Sequence, residues 1–325
     1  MRFFLFFVSL LFLQASMAED HLKTVRIGVL PFGSLNWEIS VLRSEGLDQK
    51  ARLQIETITA ANAEAGKIAL LGNQVDIIVS DWIWVASQRE QHRDFQFYPY
   101  ATTLGALMVP PHSPIRTVSD LKNRKLGVAG GSLDKNWLLL KAMVLKTAGL
   151  DLSQSASLVF AAPPLINQQL QQGKLDAVLN YWNFAAKLEA RGYRKLVDGA
   201  ALLQGLGFSA SIPNLGYVFR GDWAHADTEG ARRLFEALRT AKNLICEDDK
   251  VWKKLVPLTE ETEPAVQDAL RANYCAGRVK YFGDPEKKAI AEIYSLLYQA
   301  GGVQVTGRSP TLPDQVFWSS DSVGH

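Results

Sequence analysis

The fold is decided by ten residues, Val75 to Trp84, which read V-D-I-I-V-S-D-W-I-W. Within this stretch, Ile77–Val79 form an unbroken apolar run. Because strands of a parallel sheet are buried on both faces, such a run predicts a short strand of that kind. Ser80, Asp81 and Trp82 follow at its carboxyl end, where open α/β sheets bind their ligands.

The same pattern returns about a hundred residues later as G-K-L-D-A-V-L-N-Y-W, from Gly173 to Trp182. In each copy an aspartate, Asp76 or Asp176, precedes a tryptophan by six positions. A glycine stands three or four residues before each aspartate, Gly72 in the first copy. One unit used twice predicts two sheets whose strand ends face each other across a cleft.

Strands alternate with helices on either side of these stretches, which predicts parallel βαβ units with right-handed crossovers. Two extended segments, 101–105 and roughly 208–215, are predicted to cross between the lobes as a hinge. The expected fold class is therefore α/β, with two lobes joined by a hinge of two crossing strands. Lobe one is predicted to comprise residues 19–103 plus 215–325, and lobe two residues 104–214.

Residues 1–18 have the features of a secretory signal peptide. Arg2 is positively charged, and Phe3–Leu13 are apolar but too few to span a bilayer. Ser16 and Ala18 form a small-x-small cleavage site. We therefore predict a periplasmic protein cleaved after Ala18, with 325 − 18 = 307 residues remaining. That length is sufficient for two domains.

Charge and motif content exclude several classes of function. The formal net charge is +2, without a basic run or an Arg/Lys stripe, which argues against nucleic acid or an anionic membrane as partner. The five histidines are scattered, so neither a metal nor another cofactor is predicted. No G-x-S-x-G elbow or recognisably spaced Cys–His pair occurs, which favours a binding protein over an exported enzyme.

The two cysteines, Cys246 and Cys275, both lie in the last third of the chain. In an oxidising compartment such a pair usually forms a disulfide, and two buried free thiols are the alternative. This last third otherwise shows helical spacing and is predicted to contribute packing rather than a new site. From Gly301 onward, Gly, Ser, Pro and Asp predict a tail that lies on the surface or is partly disordered.

Several segments resemble the extracytoplasmic solute-binding proteins of ABC importers. These segments are Val25-Arg-Ile-Gly-Val, the Gly72…Asp76 turn, Ser113-Pro-Ile…Asp120-Leu-Lys…Lys125-Leu-Gly-Val, Gly149-Leu-Asp and Gly173-Lys-Leu-Asp176-Ala. Within that superfamily, the chain is most similar to the nitrate/sulfonate/taurine group, which includes the thiamine-pyrimidine-precursor binders. The resemblance covers roughly residues 24–225. It implies a two-lobed, type II periplasmic binding protein-like fold that closes on a small-molecule ligand and docks to a membrane permease. We expect a monomer.

The ligand site is predicted from the strand ends and the residues just after them. Lobe one would contribute Phe32, Gly33, Ser34, Trp37, Asn62, Ser80, Asp81 and Trp82. Lobe two would contribute Gly131, Ser132, Asp134, Trp137, Asn180, Tyr181 and Trp182. Aromatic faces can stack on a flat ligand or surround a cation. Core packing beneath the helices is the alternative for each tryptophan, and the paired positions of Trp82 and Trp182 favour the cleft for those two.

Charge indicates the ligand class. The candidate loops contain Asp81 and Asp134, no arginine, and only Lys135 as a cation. Both aspartates could cap helices, but an amine or a flat nitrogen heterocycle could use the carboxylates and rings together. We therefore predict a planar or amine-bearing solute. An alkanesulfonate, nitrate or similar small anion, held by backbone N–H groups after Gly130, is the alternative. A periplasmic sensor subunit would use the same closure.

Overall fold

The computed structural model describes residues 22–208 and 212–319. The predicted signal peptide, residues 1–18, and its cleavage site lie outside these ranges. The described strands are β1 (Lys23–Val29), β2 (Leu53–Thr59), β3 (Ile77–Ser80), β4 (Phe95–Ala101), β5 (Ala106–Val109), β6 (Lys125–Ala129), β7 (Ser157–Ala161), β8 (Ala177–Asn180), β9 (Arg194–Val197) and β10 (Leu215–Arg220).

The strands are flanked by α-helices, and two short 3₁₀ segments occur at Val118–Leu121 and Val256–Thr259. The described helices are α1 (Leu35–Ser44), α2 (Leu47–Lys50), α3 (Ala63–Leu71), α4 (Trp82–Arg89), α5 (Lys135–Ala148), α6 (Leu152–Ser155), α7 (Pro163–Gln171), α8 (Trp182–Ala190), α9 (Gly199–Leu206), α10 (Gly221–Ala226), α11 (Thr228–Glu247), α12 (Asp249–Leu255), α13 (Pro264–Ala276), α14 (Asp284–Gly301) and α15 (Val303–Thr306).

The strands form two five-stranded sheets, which confirms the predicted two-lobed α/β fold. The first sheet has the order β2-β1-β3-β10-β4, and the second has the order β7-β6-β8-β5-β9. Both are mixed rather than purely parallel, because β10 and β5 run antiparallel to their neighbours. Each of these two strands carries the chain into its sheet from the other lobe, which reverses its direction relative to the βαβ strands.

The sequence repeat corresponds to a structural repeat. The Asp76 carboxylate accepts the backbone N–H of Arg26 at 2.8 Å, and that of Asp176 accepts the N–H of Lys125 at 2.7 Å. Each aspartate thus ties the turn before a central strand, β3 or β8, to the neighbouring parallel strand, β1 or β6. The repeat therefore specifies the same strand–turn–strand junction in each lobe.

The two predicted crossing segments contact each other. The N–H of Asn214 donates to the Ala101 carbonyl at 2.9 Å, and its side-chain amide donates to the Thr102 carbonyl at 2.9 Å. Residues 102–105 belong to no strand, and residues 209–211 of the second segment lie outside the described ranges. The N–H of Thr102 also donates to Gly277, so the end of α13 packs at the crossing.

Helix α13 connects several parts of the molecule. The predicted disulfide between Cys246 and Cys275 is present and joins α11 to α13 across a Cα–Cα distance of 5.7 Å. Helix α13 also packs against α8 of the second lobe. Arg191, the residue after α8, pairs with Glu263 at 2.9 Å beside this contact, and Lys187 of α8 pairs with Glu261 at 2.8 Å.

The described part of the C-terminal segment is more ordered than its composition suggested. The N–H of Phe97 donates to Val316, and the N–H of Trp318 donates to Phe97, at 2.8 and 3.0 Å. These residues add a bridge to β4, the edge strand of the first sheet, and the Trp318 side chain is only 5% exposed. The anchoring contacts are distant in sequence, so local composition did not reveal them. Within residues 22–208 and 212–319, no helix is both long and apolar enough to cross a membrane.

Candidate ligand-binding cavity between the two lobes

A cavity of about 1870 Å³ lies between the two sheets. Its walls come from the ends of β1, β3 and β7, from the residues that follow β1, β3, β6, β7 and β8, and from the crossing residues Thr103–Gly105. Typical pockets for small molecules measure roughly 300–1000 Å³. A small solute would therefore fill only part of this space, and full enclosure would require the lobes to move together.

Ten of the residues predicted for the ligand site line this cavity. They are Phe32, Gly33, Ser34, Asn62, Ser80, Asp81, Gly131, Asp134, Tyr181 and Trp182. They come from both lobes, so the structure brings the two sets of strand ends together at one opening.

Five predicted residues lie elsewhere, and three of them are tryptophans in the cores. They are Trp37, Trp82, Ser132, Trp137 and Asn180. Trp37 is 6% exposed and lies edge-on to Trp182, while Trp137 is 1% exposed and packs against Phe160. For these two indoles, the core alternative describes their position.

Asn180 and Ser132 also lie outside the cavity lining. The Asn180 side chain is buried and donates to Pro163 and Asn167, while its oxygen accepts the N–H of Tyr181 at 2.8 Å. It therefore fixes the turn that presents the following aromatic residues. Ser132 is exposed on the turn before α5.

Trp82 does not face the cleft as its pairing with Trp182 had suggested. Its indole is fully buried, and its N–H donates to the Pro213 carbonyl at 3.1 Å, in the second crossing segment. The Lys135 ammonium lies 5.5 Å from the ring centroid. Trp82 thus supports the crossing segment and Lys135, whereas Trp182 lines the cavity.

Charged groups from both lobes converge on Lys135. Its ammonium donates to the Asn214 carbonyl at 2.5 Å. Burial lowers the pKa of Lys135, and the negative charges of Asp81 and Asp134 oppose that effect. Burial also raises the pKa of Tyr181, as do the charges of both aspartates, and the phenol donates to Asp134 at 3.3 Å. The cavity therefore contains two carboxylates, one ammonium and a phenol in electrostatic contact.

Both aspartates cap helices whose first residues lie beside the cavity. Asp81 accepts the N–H of Trp84 at 3.0 Å. One oxygen of Asp134 accepts the N–H groups of Asn136 and Trp137, which leaves the other for Tyr181. The amide groups of Asn136 and Trp137 at the start of α5 are thus already satisfied within the protein. The predicted anion site after Gly130 would have to compete with Asp134.

A buried polar network supports the cavity wall beneath Ser34. The Glu38 side chain has no exposed surface and accepts hydrogen bonds from Tyr217 and Tyr274, each at 2.6 Å. Lys242 lies 3.4 Å from the same carboxylate and stacks on the Tyr100 ring at 3.9 Å.

The network reaches the cavity through two hydroxyl groups. The Tyr100 hydroxyl lies 2.7 Å from that of Ser34, and both residues line the cavity. Ser34 makes no side-chain cap to α1, because its hydroxyl pairs with Tyr100 instead. Burial raises the pKa of Tyr100 well above its ordinary value, so its hydroxyl stays neutral and able to donate at physiological pH.

The prediction omitted Tyr100, Lys135 and the crossing residues Thr103–Gly105 from the site. Tyr100 stands near the end of β4, so the rule applied to the other strand ends could have identified it. A further wall is formed by residues 303–305 and 307–308. No sequence signal indicated that this helical and Gly-rich region would approach the cleft.

In the described part of the chain, no group of three or more His, Cys, Asp or Glu side chains is arranged to hold a metal ion. The arrangement instead offers aromatic surfaces, four carboxylates (Glu64, Asp81, Glu90 and Asp134) and several hydrogen-bond donors around a space shared by two lobes. Such a site suits reversible binding of a small organic molecule.

Comparison with known proteins identifies relatives of the fold. A family model described as NMT1/THI5 like matches residues 50–250. No curated protein sequence matches the chain. The alkanesulfonate-binding protein SsuA from Xanthomonas axonopodis pv. citri, solved with bound MOPS, is 21% identical with a TM-score of 0.71. That match covers 91% of this chain and 98% of the other.

Two further solved structures show the same architecture. The periplasmic aliphatic sulphonate-binding protein SsuA from Escherichia coli is 18% identical, with a TM-score of 0.71 and coverage of 91% of this chain and 97% of the other. The Candida albicans CA3427 gene product, described as having the generic periplasmic binding protein fold, is 11% identical, with a TM-score of 0.58 and coverage of 90% and 98%. At these identities, the matches establish a shared fold.

Proposed function

The chain belongs to the NMT1/THI5-like family, and on that premise we propose that it is an exported solute-binding protein of an ABC importer. It captures a small organic molecule by lobe closure and delivers it to a membrane permease. The lobes proposed to move are residues 19–103 plus 215–325 and residues 104–214. Transport rather than catalysis is supported by the cleft geometry and by the binding proteins that share the fold.

One observation carries this proposal: recognition groups from both lobes meet at a single cavity. Asp81 and Ser34 come from the first lobe, whereas Asp134, Tyr181 and Trp182 come from the second. A ligand shifts an open–closed equilibrium only through contacts that are stronger in the closed state. A solute that touches both groups supplies such contacts and so favours closure.

We propose that the solute is planar or bears an amine. Asp81 and Asp134 place two carboxylates beside the ammonium of Lys135, while Glu64, Glu90, Lys67 and Arg308 line other parts of the cavity. Trp182 and Tyr181 supply aromatic faces on which a flat ring could stack or beside which a cation could lie. Such contacts are worth about 0.5–2 kcal/mol each.

A small anion such as an alkanesulfonate is the second candidate. Helix α8 begins at the cavity without a side-chain cap, so its first N–H groups could bind an anion, whereas Asn36 and Trp37 of α1 already donate to the carbonyls of Gly33 and Ser34. The two SsuA structures are described as sulfonate-binding proteins, which also supports this candidate. A sensor role with the same closure would differ only in its membrane partner.

A thermal-shift screen of the exported chain against amines, pyrimidines, alkanesulfonates and nitrate tests the proposal. A solute present at a hundred times its dissociation constant should add about 2.7 kcal/mol to the free energy of unfolding. Stabilisation by none of these compounds would contradict the proposed solute classes.

The variant Asp81→Asn then separates the two ligand classes. Asparagine is as good a helix cap as aspartate, so α4 should remain capped while one negative charge is lost. Binding of an amine should weaken, whereas binding of an anion should be unchanged or strengthened. Asp248→Asn makes the same change at the cap of α12, outside the cavity, and should leave both affinities unchanged.

A further inference from the structure

The C-terminal part of the chain lies across both lobes. Helix α14 packs against α5 of the second lobe, and the short helix α15 packs against α4 of the first. Ile290, Tyr294 and Leu297 of α14 are fully buried. They belong to one hydrophobic core that also contains Leu138 of α5 and Val85 of α4. Helix α14 therefore contributes to one apolar core that includes elements of both lobes.

The segment after α14 is fastened to the first lobe by Glu90, the residue that ends α4. Its carboxylate accepts the backbone N–H groups of Arg308 at 2.5 Å and Ser309 at 2.8 Å. The Tyr294 hydroxyl lies 3.3 Å from the same carboxylate and also donates to the Thr306 carbonyl. One carboxylate and one phenol thus hold the turn that follows α15.

We call residues 303–309 the C-terminal strap. Residues 303–305, 307 and 308 line the cavity, so the strap forms part of its wall. Gly307 has a φ of +92°, and the Glu90 carboxylate occupies the space that a Cβ atom would take there. The turn therefore requires glycine both for its backbone conformation and for its close approach to Glu90.

We propose that α14 and the C-terminal strap form a third connection between the lobes, which walls the cavity and limits how far the cleft opens. This inference rests on the proposed function as a closing solute-binding protein. The two crossing segments permit rotation about one line, whereas the strap holds the lobes at a separate place beside the cavity. Its residues accordingly belong to the solute site.

The contacts on the two sides of this connection differ in kind. Helix α14 is held to α5 by buried apolar side chains, whose separation would expose hydrocarbon to water. The strap is held to α4 by the packing of α15, with Val305 against the core, and by hydrogen bonds to the single carboxylate of Glu90. Opening of the cleft must strain either the contact between α14 and α5 or the contact between the strap and α4. A single substitution at Glu90 can break the few hydrogen bonds of the second contact.

The test compares Glu90→Gln with Glu64→Gln. Glutamine keeps the size of Glu90 but has only one accepting oxygen, so it cannot accept both strap N–H groups as the carboxylate does. Arg89 still holds the carbonyl of Asp314 and the side chain of Gln315, so the tail should stay in place. Glu64 also lines the cavity but pairs only with a lysine on its own helix, so its variant removes the same charge without touching the strap.

The measurements are made without solute. Amide hydrogen exchange reports on the strap, and electron–electron distances between spin labels at Lys50→Cys and Lys174→Cys, exposed positions in opposite lobes, report on opening. Both native cysteines are in the disulfide, so only the introduced thiols react. In Glu90→Gln, the strap amides should exchange about tenfold faster, as expected from the loss of about 1.4 kcal/mol. The inter-lobe distances should broaden toward larger values, and Glu64→Gln should match the parent protein.

Three outcomes would overturn the proposal. The first is faster exchange in the strap with unchanged inter-lobe distances. The second is equal broadening in Glu64→Gln, which would assign the effect to cavity charge. If Glu90→Gln leaves exchange unchanged, the double variant Glu90→Ala with Tyr294→Phe removes both anchoring groups. The third outcome is that the strap amides of this double variant still exchange as slowly as those of the parent protein. None depends on a bound solute, so failure of the ligand screen and failure of the strap are distinguishable.

Discussion

Replacing Glu38 with glutamine should destabilise the folded chain by about 3–5 kcal/mol, because it removes one partner of a buried charge pair. The carboxylate accepts two phenol hydrogen bonds, from Tyr217 and Tyr274, and lies 3.4 Å from the Lys242 ammonium. Glutamine can accept one phenol but turns its NH₂ group toward the other donor. Burial lowers the pKa of Lys242, and the negative charge of Glu38 opposes that effect. Without the carboxylate, no charge at position 38 offsets the cost of burying the charged ammonium.

Urea unfolding followed by tryptophan fluorescence measures this effect, and folded proteins of ordinary stability have about 5–15 kcal/mol available. Glu64→Gln, an exposed carboxylate in a surface ion pair, should cost less than about 1 kcal/mol and serves as the control. Lys242→Met in the Glu38→Gln background should recover part of the loss, with a coupling of at least about 1 kcal/mol in a double-mutant cycle. A cost below 1 kcal/mol for Glu38→Gln, or no coupling, would refute the assignment of a buried charge pair.

Three other changes have defined outcomes. Trp182→Ala should weaken solute binding by about 1–3 kcal/mol in calorimetric titration. It should also lower the free energy of unfolding by about 1–2 kcal/mol, because the edge contact with a neighbouring indole is lost. An unchanged affinity would show that this ring does not belong to the solute site. Burial raises the pKa of Asp134 above 3.8 and lowers that of Lys135 below 10.5. In binding titrations across pH, an amine solute should therefore lose affinity at acid pH, where the carboxyl becomes neutral, and an anion should lose affinity at alkaline pH, where the ammonium becomes neutral. The reverse pH dependence would contradict these contacts. Replacing Cys246 and Cys275 together with serine should lower the unfolding free energy by about 3–4 kcal/mol, given the sequence separation of 29 that the disulfide closes; equal urea midpoints would show that the bridge contributes nothing.

Local sequence determined the elements and their junctions. The apolar run before Ser80 and its repeat before Tyr181 predicted the central strands, because a strand that is buried on both faces has apolar side chains at consecutive positions. Asp76 and Asp176 occupy matching turns, and each carboxylate accepts a backbone N–H group from a single neighbouring strand. The ends of those strands then predicted most of the cavity lining, since carboxyl ends meet at one edge of a sheet.

Only the tertiary structure decided which of two equivalent tryptophans faces the cavity. Trp82 and Trp182 both begin a helix after a central strand, yet Trp82 is covered by the crossing segment at Pro213, whereas Trp182 lies against the opening. The Glu38 network joins residues up to 236 positions apart, and the strap reaches Glu90 from more than 200 positions away. No local periodicity encodes such pairings, because they form only when separate elements pack together.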